Sequence, residues 1–187
     1  MSNNKAQLIY NSIFEYIAEG NNIKDITMSK IASIANIGKS TIYEYFSSKE
    51  EMITKTLNHY LEKEKTSIIN IINDNNKFEM IIENIILNGI DNYKQLSLIG
   101  MMFDSYRDIN DLYEFKKKIK DSIDEILTLL IDKGISEGII NKNNQDKYNR
   151  QVILTSLNGF KQYSCCYKED IKSVTKYTID MMIRALK

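Results

Sequence analysis

The chain has 187 residues with seven glycines and no proline, and its 25 basic and 25 acidic residues leave a formal net charge of zero. This composition excludes a turn-rich all-β fold, which needs frequent glycine and proline, and two cysteines are too few for a disulfide-stapled scaffold. No apolar run approaches the ~20 residues of a transmembrane helix, and the polar start MSNNKAQ lacks a signal-peptide core, so we expect a cytoplasmic protein.

Two helices are predicted first. Apolar residues at helical spacing predict a helix over residues 5–19, and Gly20 follows where a left-handed residue commonly ends a helix. After the loop NNIKDI, Thr27 is suited to cap a second helix, because its hydroxyl can accept a hydrogen bond from the first turn. The residues that this second helix is predicted to bury are Ile31, Ala32 and Ala35.

A tight turn and a third, short helix follow. Asn36 is predicted to end the second helix, because asparagine is the non-glycine residue that best tolerates a positive φ. The third helix is predicted over residues 39–46, with Ile42 and Phe46 one turn apart on its buried side. A helix this short is marginal alone, so its neighbours must hold it.

The rest of the chain predicts longer helices. Ser48 and Glu51 have the spacing of a capping box, which opens a helix over residues 49–73. Further helices are predicted at 77–94, 97–106, 110–136, 146–167 and 170–186, with Gln95 and Leu96 as the joint between the first two. The chain is therefore predicted to be all-α, with a small N-terminal three-helix unit followed by a larger helical bundle.

The second and third helices match the helix-turn-helix pattern. In that motif the second helix lies in the major groove of DNA, with its N-terminal residues nearest the base edges. Those residues here are Gly38, Lys39, Ser40 and Thr41, of which three can hydrogen-bond to bases or phosphates. Because the whole chain is electrically neutral, DNA binding would depend on this local arrangement.

Aromatic and basic residues continue the same stretch. Tyr43 and Tyr45 flank Glu44, so the two tyrosines cannot both point into the core, and at least one hydroxyl should face outward, where it can donate to a phosphate. Lys49 adds a positive charge in the first turn of the fourth helix. The alternative is that the tyrosines are half-buried packing and that Lys49 is a solvated surface lysine.

The segment TMSKIASIANIGKSTIYEYFSSKEEM at residues 27–52 resembles the DNA-binding signature of the TetR family of transcriptional regulators. The resemblance implies about nine helices, with a helix-turn-helix DNA-binding domain at residues 1–47 and a ligand-binding and dimerisation domain at residues 48–187. It also implies a homodimeric repressor, released from a palindromic DNA operator by a small apolar or aromatic molecule.

The resemblance implies a set of DNA contacts. Thr27 would lie at a phosphate and Ser29 near the groove, whereas Lys39, Ser40 and Thr41 would face bases. Tyr43, Tyr45 and Lys49 would hold the DNA backbone. The sequence departs from the family pattern at three positions. Asn36 replaces the usual turn glycine, Gly38 stands where a serine usually caps the third helix, and Glu44 brings a negative charge that we expect to point away from DNA.

Charges are balanced in the N-terminal region. Residues 1–55 hold six lysines, six acidic residues and no arginine, so a monomer should be attracted only weakly to DNA. Bidentate readout of guanine by arginine is excluded there. We therefore expect a dimer that contacts two half-sites, with Lys39 as the main direct reader.

The last two helices are the predicted dimerisation pair. Each carries an apolar stripe, and two such helices from each protomer can form a four-helix interface. The predicted interface residues are Val152, Ile153, Leu157, Phe160, Ile171, Val174, Ile179, Met182 and Ile183. The alternative is that both stripes face the core of their own chain.

A cavity for a sensed molecule is predicted among the helices of the larger domain, because methionine adapts to apolar shapes and tyrosine hydroxyls can supply a few polar contacts. The predicted effector-binding residues are Tyr93, Met101, Met102, Phe103, Tyr106, Tyr113 and Tyr163. The alternative is that these residues are ordinary core. Effector binding would favour one of two distances between the two DNA-binding domains of the dimer, and the fourth helix would transmit the change.

Catalysis, cofactors and metal binding are not expected. The chain has a single histidine, His59, and neither a glycine-rich phosphate loop nor a nucleophile motif. The adjacent Cys165 and Cys166 give no recognised metal-ligand spacing, and the alternative is that they form a thiol or metal sensor with His59 as a third ligand. The alternative function is a helical protein-interaction module whose helix-turn-helix no longer binds DNA. A steep loss of DNA affinity with rising salt would distinguish a DNA-binding dimer from such a module.

Overall fold

The computed structural model describes residues 2–74, 77–105, 112–167 and 170–187, and every regular element within these ranges is helical. The elements are α1 (Ser2–Ala18), a short 3-10 helix (Ile23–Asp25), α2 (Met28–Ile34), α3 (Lys39–Tyr45), α4 (Lys49–Asn73), α5 (Phe78–Asp91), α6 (Tyr93–Ser105), α7 (Leu112–Ser136), α8 (Asp146–Cys166) and α9 (Ile171–Leu186). This architecture confirms the all-α prediction. Within the described ranges, no helix has the length and apolarity needed to cross a membrane.

Most helix boundaries lie close to the predicted ones, but the joint between α5 and α6 was predicted wrongly. Gln95 and Leu96 lie inside α6, and the break is instead at Asn92, whose carbonyl accepts the Leu96 amide at 2.9 Å as α6 begins. Asparagine and the preceding Asp91 are poor helix formers, whereas glutamine is a good one, so the helix breaks at the earlier position.

The first compact unit comprises residues 1–64 and 92–119. Its core is built from the apolar faces of α1 to α4, joined by side chains from α6 and α7. The buried side chains of this core include Ile9, Ile13, Ile31, Ile42, Phe46, Met52, Leu57, Met102 and Phe115. Ile42 and Phe46 belong to this core as predicted, so the short helix α3 is anchored through the side that its spacing indicated.

The second compact unit comprises residues 65–91 and 120–187. Its core includes Ile72, Phe78, Ile81, Ile82, Leu127, Leu130, Ile140, Ile153, Met182 and Leu186. The Glu137 carboxylate accepts the Phe78 amide at 2.9 Å, which pairs one free amide at the start of α5 and lowers the pKa of Glu137. These two compact units differ from the predicted functional domains 1–47 and 48–187, and that division stays a prediction.

A Schellman motif forms the turn between α2 and α3. The Ile37 amide donates to the Ala32 carbonyl at 3.0 Å, and the Asn36 amide donates to the Ser33 carbonyl at 3.2 Å. The motif needs a left-handed residue at Asn36, whose φ is 51°, as the sequence predicted. Gly20 likewise follows α1 with a φ of 86°.

The left-handed backbone at Asn36 makes its substitutions predictable. The Cβ of alanine is strained at positive φ, so we expect Asn36→Ala to lower the free energy of unfolding by about 1 kcal/mol. Asn36→Gly should leave it nearly unchanged, because relief of strain offsets the larger entropy of glycine in the unfolded chain. Urea denaturation measures both variants, and an alanine variant as stable as the parent would contradict this account.

Candidate nucleic-acid interface

Helices α2 and α3 contact each other in the order of a helix-turn-helix. Ile31 and Ala32 of α2 and Ile42 of α3 are buried in the core of the first unit, so the two helices are held by their apolar faces. Ala35 was predicted to be buried, but it is only half-buried, because it is the C-cap residue of α2 and lies where the chain turns towards solvent.

Thr27 caps α2 as predicted. Its Oγ1 accepts a hydrogen bond from the Lys30 amide at 3.1 Å, which pairs one of the free amides at the start of the helix. Thr27 and Ser29 are both exposed. Because capping uses only the acceptor side of the hydroxyl, the proton of the Thr27 hydroxyl can still be donated to a phosphate oxygen.

The first turn of α3 presents the residues that were predicted to face bases. Lys39 and Ser40 are exposed and Thr41 is half-buried, and the Lys39 ammonium contacts no acceptor among the described residues. Gly38 is the N-cap and makes no side-chain cap bond. A Cβ at Gly38 would lie 3.6 Å from Ser40 Oγ and 3.7 Å from Thr41 Oγ1, which is ordinary contact, so packing does not require glycine there.

The two tyrosines of α3 take different positions. Tyr43 is 51% exposed and presents its phenol outward, which confirms that at least one tyrosine faces solvent. Tyr45 is half-buried and packs against the core, with its ring centroid 6.3 Å from that of Phe46. Glu44 is exposed between them.

Lys49 is tied to the loop that precedes α2. Its ammonium donates to the Lys24 carbonyl at 2.5 Å, and its side chain is half-buried. The contact joins the start of α4 to the short 3-10 helix, so Lys49 in this state braces the fold. Because an ammonium has three N–H donors and the Lys24 carbonyl takes one of them, Lys49 keeps donors that a phosphate could accept.

The joint between α3 and α4 is held by side chains from both sides. Ser48 Oγ accepts the Glu51 amide at 3.1 Å, which confirms one half of the predicted capping box. The other half differs from the prediction, because the Glu51 carboxylate accepts the Ser47 amide at 2.6 Å and the Ser47 hydroxyl at 2.5 Å instead of the Ser48 amide. Ser47 precedes the cap, and its hydroxyl offers the carboxylate a second hydrogen bond.

The same carboxylate carries the largest described pKa shift of the N-terminal region. A hydrogen bond from the Lys55 ammonium, followed by those from the Ser47 hydroxyl and amide, lowers the pKa of Glu51 from 4.5 to about 2. Sequence reasoning did not single out Ser47 or Lys55. The four-residue spacing of Glu51 and Lys55 on one helix face was the signal that could have found the ion pair.

The predicted effector residues do not share one environment among the described residues. Met102 is fully buried in the core of the first unit, whereas Tyr93 is 51%, Met101 53% and Tyr113 73% exposed. Tyr163 belongs to the second unit, where its ring stacks on Tyr167 at 4.5 Å. Tyr106 and the side chain of Phe103 lie outside the described part of the structure. As an effector site, the set stays a prediction.

The predicted dimer residues divide into two groups. Five are buried within their own chain: Ile153, Phe160, Val174, Met182 and Ile183. Val152, Leu157 and Ile179 are half-buried against the same core, and Ile171 is exposed. Buried side chains are already withdrawn from water, so a second copy would have to use the outward faces of α8 and α9. The assignment of these residues to a dimer stays a prediction.

His59 packs between α1 and α4. Its ring stacks on Tyr10 with centroids 4.7 Å apart, and burial, followed by the charge of Lys63, lowers the pKa of His59. The imidazole therefore favours the neutral form at this contact. Among the described residues, no group of three histidine, cysteine, aspartate or glutamate side chains could hold a metal ion. Cys166 is exposed as a free thiol.

A groove of about 480 Å³ lies between α5 and α9 in the second unit. Its lining carries charges of both signs, with Glu79 and Glu83 on α5 and Lys172 and Lys176 on α9, and it includes the apolar side chains of Met80 and Ile179. None of the predicted effector residues lines this groove.

Comparisons with known proteins agree with the helix-turn-helix geometry. Residues 21–55 match a family model described as bacterial regulatory proteins of the tetR family. This segment begins in the loop before α2 and ends in the second turn of α4, so it holds all of the helix-turn-helix. Among curated proteins, no sequence matches this chain.

Solved structures share the fold along nearly the whole chain. A TetR transcription regulator from Haloarcula marismortui is similar with a TM-score of 0.73 and 14% identity, over 98% of this chain and 97% of that one. The fatty acid degradation regulator FadR from Bacillus halodurans has a TM-score of 0.65 and 22% identity, over 96% and 94%. The transcriptional regulator FadR from Bacillus subtilis, in complex with stearoyl-CoA, has a TM-score of 0.64 and 19% identity, over 97% and 99%.

The lowered pKa of Glu51 predicts a pH dependence of stability. Because the pKa of about 2 in the folded chain lies below the ordinary 4.5, the ionised carboxylate stabilises the fold fully above pH 4.5 and this stabilisation is lost as the pH falls towards 2. We expect the difference in melting temperature between the parent and Glu51→Gln to be constant above about pH 5.5 and to shrink towards about pH 3, as followed by circular dichroism.

The control for that measurement is Glu50→Gln, a neighbouring exposed residue that contacts neither Ser47 nor Lys55 among the described contacts. This control should behave like the parent at every pH. A difference between the parent and Glu51→Gln that persists undiminished at about pH 3 would show that the charge of Glu51 is not the stabilising feature.

Proposed function

We propose that this chain, in which residues 21–55 match the model of the tetR family of bacterial regulatory proteins, is a DNA-binding transcriptional regulator of that family. We further propose that it is a cytoplasmic repressor that leaves a palindromic operator when a small apolar or aromatic molecule binds. Regulators of this family generally act without catalysis, and the proposal includes none. It assigns the DNA-binding domain to residues 1–47 and the ligand-binding and dimerisation domain to residues 48–187.

The observation that supports the proposal most directly is the exposed edge of α3. Lys39 and Ser40 on its first turn and Tyr43 one turn later are exposed, while Ile42 and Phe46 fix the opposite side in the core. A rigid helix with exposed donors and acceptors at its N-terminal end suits the major groove, where each base pair presents a distinct hydrogen-bonding pattern.

The proposed contacts separate into base readout and backbone positioning. Lys39, Ser40 and Thr41 are proposed to read bases, with Lys39 suited to the acceptors of guanine. The proposed positioning residues are Thr27, Ser29, Tyr43, Tyr45 and Lys49. Of these, Tyr45 is half-buried, and Lys49 already donates one hydrogen bond to a carbonyl of its own chain.

A twofold dimer is proposed because one neutral DNA-binding region has little electrostatic attraction for DNA. Pairing would double every contact, and a twofold axis would match two half-sites of a palindrome. The outward faces of α8 and α9 and the segment that joins them carry exposed apolar residues suited to such pairing. They are Leu154, Tyr163, Tyr167, Ile171, Tyr177 and Met181.

Within the apolar effectors, we propose a long-chain fatty acyl-CoA as the class. The support is the fold shared with two proteins named FadR, one of which is described in complex with stearoyl-CoA. An effector that binds the DNA-releasing conformation more tightly than the DNA-binding one would shift the dimer by that difference in affinity.

The base-reading role of Lys39 can be tested on an operator selected from random duplex DNA. We expect Lys39→Ala to weaken binding by about 1–3 kcal/mol per half-site and to relax the base preference, as measured by fluorescence anisotropy. Lys63→Ala removes the same charge from an exposed position in α4, outside the proposed contact set, and should bind like the parent apart from a small general electrostatic effect.

Two results would count against this assignment. If Lys39→Ala binds its operator as tightly as the parent, Lys39 is not a direct reader. If the parent itself selects no sequence even at low salt, the protein does not act as a sequence-specific regulator, and the interaction-module alternative becomes the better account.

The effector class can be tested by release of the bound operator. Stearoyl-CoA should lower the affinity of the parent for DNA at micromolar concentration, whereas free CoA should not, because the acyl chain supplies the apolar contact. Stearate without CoA tests whether the acyl chain is recognised by itself or whether the whole thioester is required. Operator binding that is indifferent to stearoyl-CoA would remove this effector class and leave the DNA-binding role intact.

A further inference from the structure

Four residues connect the end of α3 to the first turns of α4. Lys55 Nζ lies 2.7 Å from Glu51 Oε1 and donates to the Tyr45 carbonyl at 3.2 Å. The other oxygen of Glu51 accepts the Ser47 amide at 2.6 Å and the Ser47 hydroxyl at 2.5 Å. We call Tyr45, Ser47, Glu51 and Lys55 the joint network.

Lys55 lies where the C-terminus of α3 needs a positive partner. Tyr45 is the last residue of α3, and the final carbonyls of a helix have no amide partner within it. A cation near that end pairs such a carbonyl and opposes the negative end of the helix dipole. The ammonium also lies 5.5 Å from the centroid of the Phe46 ring, so one side chain of α4 contacts both the last residue and the C-cap of α3.

At the other end of α3, Ile37 packs against the core just before the helix, but the described residues there form no side-chain hydrogen bond comparable to that of Lys55. Its N-cap, Gly38, makes no side-chain bond, and the helix has only seven residues. The buried residues that hold it in the core, Ile42 and Phe46, lie at its middle and at its C-cap. Because the side-chain hydrogen bonds are concentrated at the C-terminal end, the direction of α3 is sensitive to the geometry of the joint.

We propose that Lys55 is a positioning residue for DNA recognition. Through Tyr45 and Glu51 it sets the orientation of α3, and therefore the placement of Lys39 in the groove, without touching DNA itself. The proposal rests on the DNA-reading role of α3 given above. In this proposal the joint network contributes to DNA recognition, in addition to pairing the polar groups at the end of α3.

Salt dependence separates this role from that of an ordinary DNA-contacting lysine. A lysine that contacts a phosphate releases a counterion on binding, so its removal lowers the slope of log affinity against log salt by about 1. The ammonium of Lys55 is already paired with a carboxylate and a carbonyl of its own chain. Its removal should lower affinity at every salt concentration and leave the slope unchanged.

Three variants of the full chain test the proposal. Lys55→Met keeps the length and the apolar stem but removes the ammonium, and Lys55→Arg keeps the charge and the hydrogen-bond donors. Lys63→Met is the matched control, because Lys63 is an exposed lysine two turns further along α4 with no described contact to α3. Glu51→Gln, which weakens the ion pair from its other side, should change affinity in the same direction as Lys55→Met.

We expect Lys55→Met to bind the selected operator about tenfold more weakly than the parent, since two joints in a dimer each contribute a few-fold through a half-exposed contact. The salt slope should not change. Lys55→Arg should recover most of the affinity, and Lys63→Met should match the parent. Parent-like affinity of Lys55→Met overturns the proposal, and a slope reduced by about 1 or more per half-site makes Lys55 a phosphate contact instead.

Hydrogen exchange of the amides in residues 42–46 tests the same proposal without DNA. Exchange there should be several-fold faster in Lys55→Met than in the parent, and unchanged in Lys63→Met, because only the first loosens the end of α3. Unchanged exchange in Lys55→Met overturns the positioning role. If the parent selects no DNA, the proposed function fails, whereas the exchange data still decide whether Lys55 holds α3.

Discussion

The attachment of a seven-residue helix to a core that it cannot form alone is the constraint on which the rest of this structure depends. A helix as short as α3 is marginal in water, so its geometry comes from Ile42 and Phe46 in the core and from Lys55 and Glu51 at its end. These contacts lie on one side and at one terminus. The opposite edge is left with exposed donors and acceptors, as a surface that reads DNA requires.

The N-terminal region has little net charge, and some of its charged side chains stabilise the fold. The ammonium of Lys55 is paired with Glu51, and that of Lys49 is bound to a carbonyl of the loop before α2. With equal numbers of lysines and acids in residues 1–55, little net charge remains to attract DNA. Recognition by such a protein would depend on correctly placed hydrogen bonds and on doubling through symmetry, more than on general attraction to phosphates.

The larger part of the chain shows why assembly is harder to predict than folding. Ile153, Val174 and Met182 form apolar stripes that suit an interface between copies, but in the structure they belong to the core of their own chain. The hydrophobic effect drives burial against the same chain and burial against a second copy alike, so an apolar stripe does not indicate which of the two surfaces buries it. The exposed Tyr177 and Met181 mark the faces of α9 that remain open.

The sequence by itself determined the local features of this protein: the positions of most helices, the Thr27 cap, the left-handed turn at Asn36 and the helix-turn-helix order with its exposed first turn. These follow from the conformational preferences of single residues and from spacing within one helix, which act over a few positions. Only the tertiary structure decided that Lys55 and Lys49 bind carbonyls 10 and 25 residues away, and which apolar stripes are buried. Such contacts depend on where the ends of long side chains meet once separate elements have packed, and periodicity along the chain carries no information about that meeting.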